Sequence, residues 1–144
     1  MNKILGLRHC GIICKNINKS LFFYKNILGL KVIQDFWDSS EYINTISNLK
    51  KARVHMIKLK LNDNNVLELL EYKSHPTKSF KLPIINVGLC HLALQVHNID
   101  KTYKWLKKNK IKVLSKPMLS SEKFAKVFFC LDPDGVRVEL VEIL

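Results

Sequence analysis

The sequence is short of arginine, of acid, of paired cysteines and of any long apolar run, and each shortage closes a possibility. Arg8, Arg53 and Arg137 are its arginines, so all but three of the 24 basic residues are lysine. These lysines are spread along the chain, with no basic–aromatic ladder and no recognition-helix pattern, which argues against a nucleic-acid partner. Acidic residues number 12, leaving a formal net charge of +12 that favours anionic ligands. No apolar stretch approaches the ~20 residues that span a bilayer, so no membrane partner is expected. Met1 to His9 holds too short an apolar run for a signal peptide, and a cytoplasmic protein is expected. Cys10, Cys14, Cys90 and Cys130 show no zinc-type pairing; without export they read as reduced, buried thiols.

What is present is a repeat. With 144 residues, 47% of them apolar, the chain suits one compact domain over 1–144. Asn65-Val-Leu-Glu-Leu-Leu-Glu-Tyr72 is echoed by Val136-Arg-Val-Glu-Leu-Val-Glu-Ile143, so that Glu68/Glu139 and Glu71/Glu142 are each 71 residues apart. Gly6-Leu-Arg-His9 corresponds to Gly88-Leu-Cys-His91, and Asn16-Ile-Asn-Lys-Ser20 to Asn98-Ile-Asp-Lys-Thr102, both at an offset of 82. The offset shrinks where connections differ in length. This is a two-copy repeat rather than a solenoid.

Each copy reads β-α-β-β-β. In the first module (4–72), strands are expected over Ile4–Lys15, Leu30–Trp37, Ala52–Leu61 and Val66–Tyr72. A helix follows Asn16–Ser20 with Leu21, Tyr24 and Leu28 on one face and Gly29 as terminator. Asp38–Lys51 is expected to be a loop, or a loop with a short helix. A linker, 73–86, holds Pro76 and Pro83. In the second module (87–144), strands are expected over Val87–Val96, Ile111–Ser115, Phe124–Leu131 and Val136–Leu144, with a loop over Lys116–Lys123. The helix Lys101–Lys110 would be capped by Asp100, and Asp132-Pro-Asp-Gly135 makes a turn. The fold class is α+β, two βαβββ modules in tandem.

A carboxylate inside an apolar strand costs several kcal/mol if buried alone. The repeat offers a partner: each module has a histidine on its first strand (His9, His91) and a glutamate on its last (Glu68, Glu139). Strand alternation turns Glu68 and Glu71 to opposite faces, and likewise Glu139 and Glu142. Taken singly, a strand histidine is more often a hydrogen-bonded core residue, and a glutamate near a chain end is more often solvated. Four metal-competent residues at equivalent positions outweigh that reading. Two imidazoles and two carboxylates suit a divalent transition ion (Zn, Ni, Fe, Mn or Co), with positions left for substrate.

The chain resembles the vicinal oxygen chelate superfamily, which includes glyoxalase I, methylmalonyl-CoA epimerase, extradiol dioxygenases, and the fosfomycin and bleomycin resistance proteins. The resemblance is carried by His9-Cys-Gly-Ile-Ile, Ser20-Leu-Phe-Phe-Tyr24, Leu28-Gly-Leu30, Leu67-Glu-Leu69, His91-Leu-Ala-Leu, and Leu131-Asp-Pro-Asp-Gly135 with Val138-Glu-Leu140. It implies curved, barrel-like sheets around an open cleft, with His9, Glu68, His91 and Glu139 as metal ligands. A complete His-Glu-His-Glu set looks like glyoxalase I, whereas extradiol dioxygenases use His-His-Glu, and the epimerases carry a different motif before the last strand. The activity implied is that of a lactoylglutathione lyase-like isomerase or lyase, moving a proton α to a carbonyl through a metal-bound enediolate. Glu139 is then the base and Glu68 the second choice. The substrate would be a small α-oxo or α-hydroxy compound, anionic or a thiol conjugate, and a homodimer is implied. The alternatives are an epimerase or dioxygenase of the same superfamily, or a metal-free drug- or metabolite-binding protein like the bleomycin resistance proteins.

Other polar and aromatic residues are given lesser roles. His55 and Arg53 could line the pocket, but a rim position suits them better. Tyr24 and Trp105 are expected to pack against the sheet. His75 and His97 are expected in solvent, and Glu71 and Glu142 on the outer face or at an interface.

Overall fold

The computed structural model describes residues 3–78, 84–85 and 87–144. Contacts divide the chain into two compact units, Met1–Ser79 and Phe80–Leu144. The expected linker falls partly on residues 79–83 and 86, outside the described residues.

The first unit runs β1 (Cys10–Ile13), α1 (Ile17–Leu21) continuing into a π-helical turn (Phe22–Ile27), β2 (Lys31–Asp38), α2 (Glu41–Ser47), β3 (Val54–Lys60) and β4 (Val66–Tyr72). The second runs β5 (Leu92–Gln95), α3 (Ile99–Lys108), β6 (Met118–Leu119), β7 (Ala125–Leu131) and β8 (Arg137–Ile143). Each forms a four-stranded mixed sheet, in the orders β1-β4-β3-β2 and β5-β8-β7-β6. The architecture is α+β, two βαβββ modules in tandem, with curved sheets that do not close into barrels. Among the described residues no helix is long and apolar enough to cross a membrane.

In both sheets the last strand lies beside the first, in parallel, and antiparallel to its hairpin partner. One face of each sheet is covered by the module's long helix. Ile12, Ile57, Leu59, Leu67 and Leu69 are buried on that face in the first module, with Ile17, Phe23, Tyr24 and Ile27 from the helix. Leu94, Phe128, Cys130, Val138 and Leu140 are their counterparts in the second, with Ile99 and Leu106 from α3. Each fully buried Ile, Leu or Phe contributes about 1.5–3 kcal/mol, so this face supplies most of each module's cohesion.

Several expected boundaries moved. The strands Ile4–Lys15 and Val87–Val96 shrink to β1 and β5, because pairing starts only where the neighbouring last strand does: Cys10 pairs with Leu67 and Leu92 with Val138. The expected strand Ile111–Ser115 is reduced to one bridge, Val113 to Cys130. Pro117 has no N–H to give the ladder, and pairing resumes beyond it at Met118 and Leu119, in the expected loop. The α3 cap is Asn98 rather than Asp100; its Oδ1 accepts the Lys101 N–H at 2.8 Å, as Asn16 accepts the Lys19 N–H at 3.1 Å. The first helix starts at Ile17 and widens into a π turn, so its buried face is Ile17, Ser20, Phe23, Tyr24 and Ile27, with Leu21 and Leu28 only partly covered. Gly29 ends it at φ 83, as its position predicts. Trp105, expected against the sheet, is exposed.

Candidate functional site

Parallel pairing of first and last strands positions the predicted residues. In the first module Gly11 is the register partner of Glu68; in the second, Ala93 is the partner of Glu139. A glycine and an alanine thus set the smallest side chains beside the two carboxylates. His9 and His91 lie two residues earlier on the same face. Each stands one residue ahead of its strand, rather than within it, and keeps about a third of its side chain exposed. The result is one imidazole–carboxylate pair per module. His9 Nε2 lies 3.4 Å from Glu68 Oε2, and His91 Nε2 lies 2.9 Å from Glu139 Oε2.

The donor chemistry suits a metal. Two adjacent ligands on an octahedral ion with bonds of roughly 2.1 Å lie about 3 Å apart, close to both observed separations. Among the described residues, no three His, Cys, Asp or Glu side chains gather into a single metal-holding group; each module brings together two.

The surroundings of the two pairs differ. Lys58 pairs with Glu68 across β3 and β4, and its ammonium sits 3.6 Å from Glu68 Oε1. The same register position opposite Glu139 is Phe129, whose ring meets His91 edge-on at 5.4 Å. Glu68 is thus engaged at both oxygens, whereas among the described residues Glu139 is engaged at Oε2 alone. Tyr72 follows on the Glu68 face of β4; burial first, and then the charge of Glu68, push its phenol up, so it stays a protonated donor. In the second module Cys90 Sγ lies 2.7 Å from His91 Nδ1. Sequence reasoning assigns no role to Lys58 or Tyr72, and Cys90, expected to be a buried thiol, is exposed. Lys58 had a visible signal, a lysine between Ile57 and Leu59 in a strand that is otherwise apolar at those positions.

The other carboxylates turn away, as alternation predicts, but they are not outer-face or interface residues. Glu71 is buried; its Oε2 accepts the Ile17 N–H at 3.3 Å and its Oε1 pairs with Lys73 Nζ at 2.6 Å. Glu142 accepts the Ile99 N–H at 2.9 Å. Each therefore takes a donor that a helix start leaves unpaired.

His55 and Arg53 also face away from Glu68. Register sets His55 against Glu71, on the helix side of the sheet. There His55 Nε2 meets Asp35 Oδ1 at 2.6 Å and stacks on Trp37 at 4.5 Å, and Arg53 lies over the same indole at 4.6 Å. His97 is exposed as expected, and His75 is half-buried with Nδ1 2.8 Å from Ser74 Oγ.

Each βαβββ module thus carries a histidine–glutamate pair at the same register. The chain belongs to the glyoxalase/bleomycin resistance protein/dioxygenase superfamily, whose model matches residues 6–140. It is 29% identical over 138 residues to the uncharacterized protein YwkD of Bacillus subtilis, covering 95% of this chain and 96% of that one. It is 30% identical over 144 residues to the lactoylglutathione lyase of Schizosaccharomyces pombe, covering 94% of this chain but only 46% of that protein. A crystal structure of a glyoxalase family protein from Bacillus cereus shares the fold, with a TM-score of 0.90 at 18% identity over 99% of this chain and 97% of that one.

Proposed function

We propose that the protein is a metal-dependent isomerase or lyase of the glyoxalase type, lactoylglutathione lyase-like, acting on a small α-oxo or α-hydroxy compound, anionic or a thiol conjugate. The observation that carries this reading is the imidazole–carboxylate pair repeated at one register in both modules. His9, Glu68, His91 and Glu139 would hold one divalent ion (Zn, Ni, Fe, Mn or Co), each module giving one nitrogen and one oxygen ligand. When bound, the ion supplies Lewis acidity that polarises the substrate carbonyl. Glu139 then takes the proton α to that carbonyl and returns it to the neighbouring carbon. Its single engaged oxygen favours it over Glu68, which His9 and Lys58 hold from two sides. The same reading takes the protein as a cytoplasmic homodimer. What supports a dimer is the exposure of Ile4, Leu5 and Leu7 ahead of β1 and of Val87 and Leu89 ahead of β5.

A second reading is favoured by Lys58. A carboxylate already neutralised by an ammonium and an imidazole needs no metal, which suits a metal-free binding protein of the bleomycin resistance kind. Divalent metal content of the purified protein, wild-type against His9→Ala and Glu139→Ala, separates the two. We expect uptake in the wild type and its loss in both variants, followed by turnover of the methylglyoxal–glutathione hemithioacetal. A wild type that takes up no divalent ion under any loading condition sinks the enzyme reading.

A further inference from the structure

The ligand residues treat the two modules alike; Lys58 does not. It stands on the Glu68 face of β3, opposite Glu68 in register, with only 21% of its side chain exposed. Met56 and Val54, its neighbours on that face, are buried, and its ammonium lies 5.8 Å above the Phe36 ring. A lysine this enclosed gives up part of its hydration, and an anion beside it offsets that loss. Glu68 supplies one, through Oε1. Yet Oε2 of the same glutamate faces His9, so one carboxylate serves two partners. The matching position in the second module carries no charge at all, since Phe129 stands there against Glu139.

We propose that Lys58 is the receptor for an anionic oxygen of the substrate and makes the site selective for α-oxo or α-hydroxy carboxylates over their neutral counterparts. This rests on the proposed function in one respect, that the Glu68 face of the first sheet meets substrate. Arg53, which the sequence offered as a possible pocket or rim residue, lies on the other face, over Trp37. On the Glu68 face of that sheet, Lys58 is the cation paired with the predicted ligand. An incoming carboxylate takes over the ammonium when Glu68 turns to its other partners, and no bond to carbon is made or broken in that exchange.

The test compares two probes of one shape and different charge, pyruvate and pyruvamide, titrated into full-length protein by NMR with and without added Mn²⁺. Wild type is expected to bind pyruvate about tenfold or more tightly than pyruvamide, the size of one charge-assisted hydrogen bond. Lys58→Met, which keeps the stem and loses the charge, should bring the two probes to within about twofold of each other by weakening pyruvate alone. Lys58→Arg should restore the preference, and its folding, checked by urea denaturation, guards against a collapsed Lys58→Met. A Lys58→Met protein that folds and keeps the preference overturns the proposal, as does a wild type that binds neither probe. Metal uptake is read separately. If wild type takes up no metal but still prefers pyruvate in a Lys58-dependent way, the anion receptor stands and the isomerase reading falls. If metal is bound and the preference is independent of Lys58, the reverse holds.

Discussion

The two modules agree wherever a side chain serves the module's own folding and part company around the inward glutamate. Both cap their helix with an asparagine, both feed a last-strand glutamate to the first helical N–H, and both set a histidine beside the other glutamate. They differ opposite that inward glutamate, where one has Lys58 and the other Phe129. They also differ in cover. The first module alone inserts α2, whose Ile43 packs with Ala52, Val54 and Met56 against Leu70 and Tyr72, on the same face as Glu68. A duplicated fold can thus keep one scaffold and place its selectivity in the single-copy features.

The largest effect that would sharpen this comparison is in the cysteines. Each module has one thiol within reach, Cys10 or Cys90, and one that is fully buried, Cys14 or Cys130. A thiol-labelling reagent should mark Cys90 first and Cys10 next. Cys14 and Cys130 should follow roughly a thousandfold more slowly or worse, at the rate at which each module opens. Peptide-resolved mass spectrometry would read the four rates, and Cys14 labelling as fast as Cys10 would show that the first module is not closed as described. Burial, and then the charge of Asp132, push the Cys130 thiol from 9.0 up to about 12. The folded state keeps that proton over a range where the unfolded chain gives it up. The contribution is therefore whole below about pH 9 and is lost as pH rises toward 12, so the second module should weaken in alkali.

Next come the helix-facing glutamates. Glu71→Ala leaves the buried Ile17 N–H without its acceptor and the half-exposed Lys73 without its partner. A loss of about 2–3 kcal/mol is expected. Glu142→Ala breaks a less buried pair, since Glu142 itself is only half-buried, and should cost about 1–2 kcal/mol. Urea midpoints at constant slope would measure both. Equal losses would mean that burial does not govern the difference.

These glutamates also show how far the sequence could be read. Period-two alternation alone separated Glu68 from Glu71, and Val66–Tyr72 forms its strand over the residues expected. Alternation could say that Glu71 turns away, but not what it would meet. That depends on where α1 docks, and the Ile17 N–H comes from 54 residues earlier. The same limit hid Lys58. Its significance lies in a register partner across a hairpin, Glu68, and in the contrast with Phe129, neither of which a single strand displays. The strand ends were misread for a related reason. Ile4 to His9 and Val87 to His91 are apolar enough for strands, but the parallel last strand has not yet begun beside them, and backbone without a partner does not make a ladder. Where a short polar stretch simply turns, local chemistry sufficed: Asp132 Oδ1 accepts from Asp134 and Val136, and Gly135 takes φ 92.

The smallest expected effect concerns the caps, and it tests whether the modules share a division of labour. In each helix the strand glutamate takes the first N–H (Ile17, Ile99) while the asparagine takes the third (Lys19, Lys101). Asn16→Ala and Asn98→Ala should each cost about 1 kcal/mol, and aspartate at either position should cost little. The two helices should differ in how these losses combine. The first passes after five α-helical residues into a π turn, so its α-helical start is the shorter stretch, whereas α3 is α-helical over ten residues. Removing both Glu71 and Asn16 should therefore cost less than the sum of the single losses, because the first change already frees most of what the second would free. Removing both Glu142 and Asn98 should be additive within about 0.5 kcal/mol, since α3 can lose its first turn and keep Leu106 buried. Additivity in both modules would mean that α1 is held by its packing against the sheet and that its capped start matters no more than that of the longer helix.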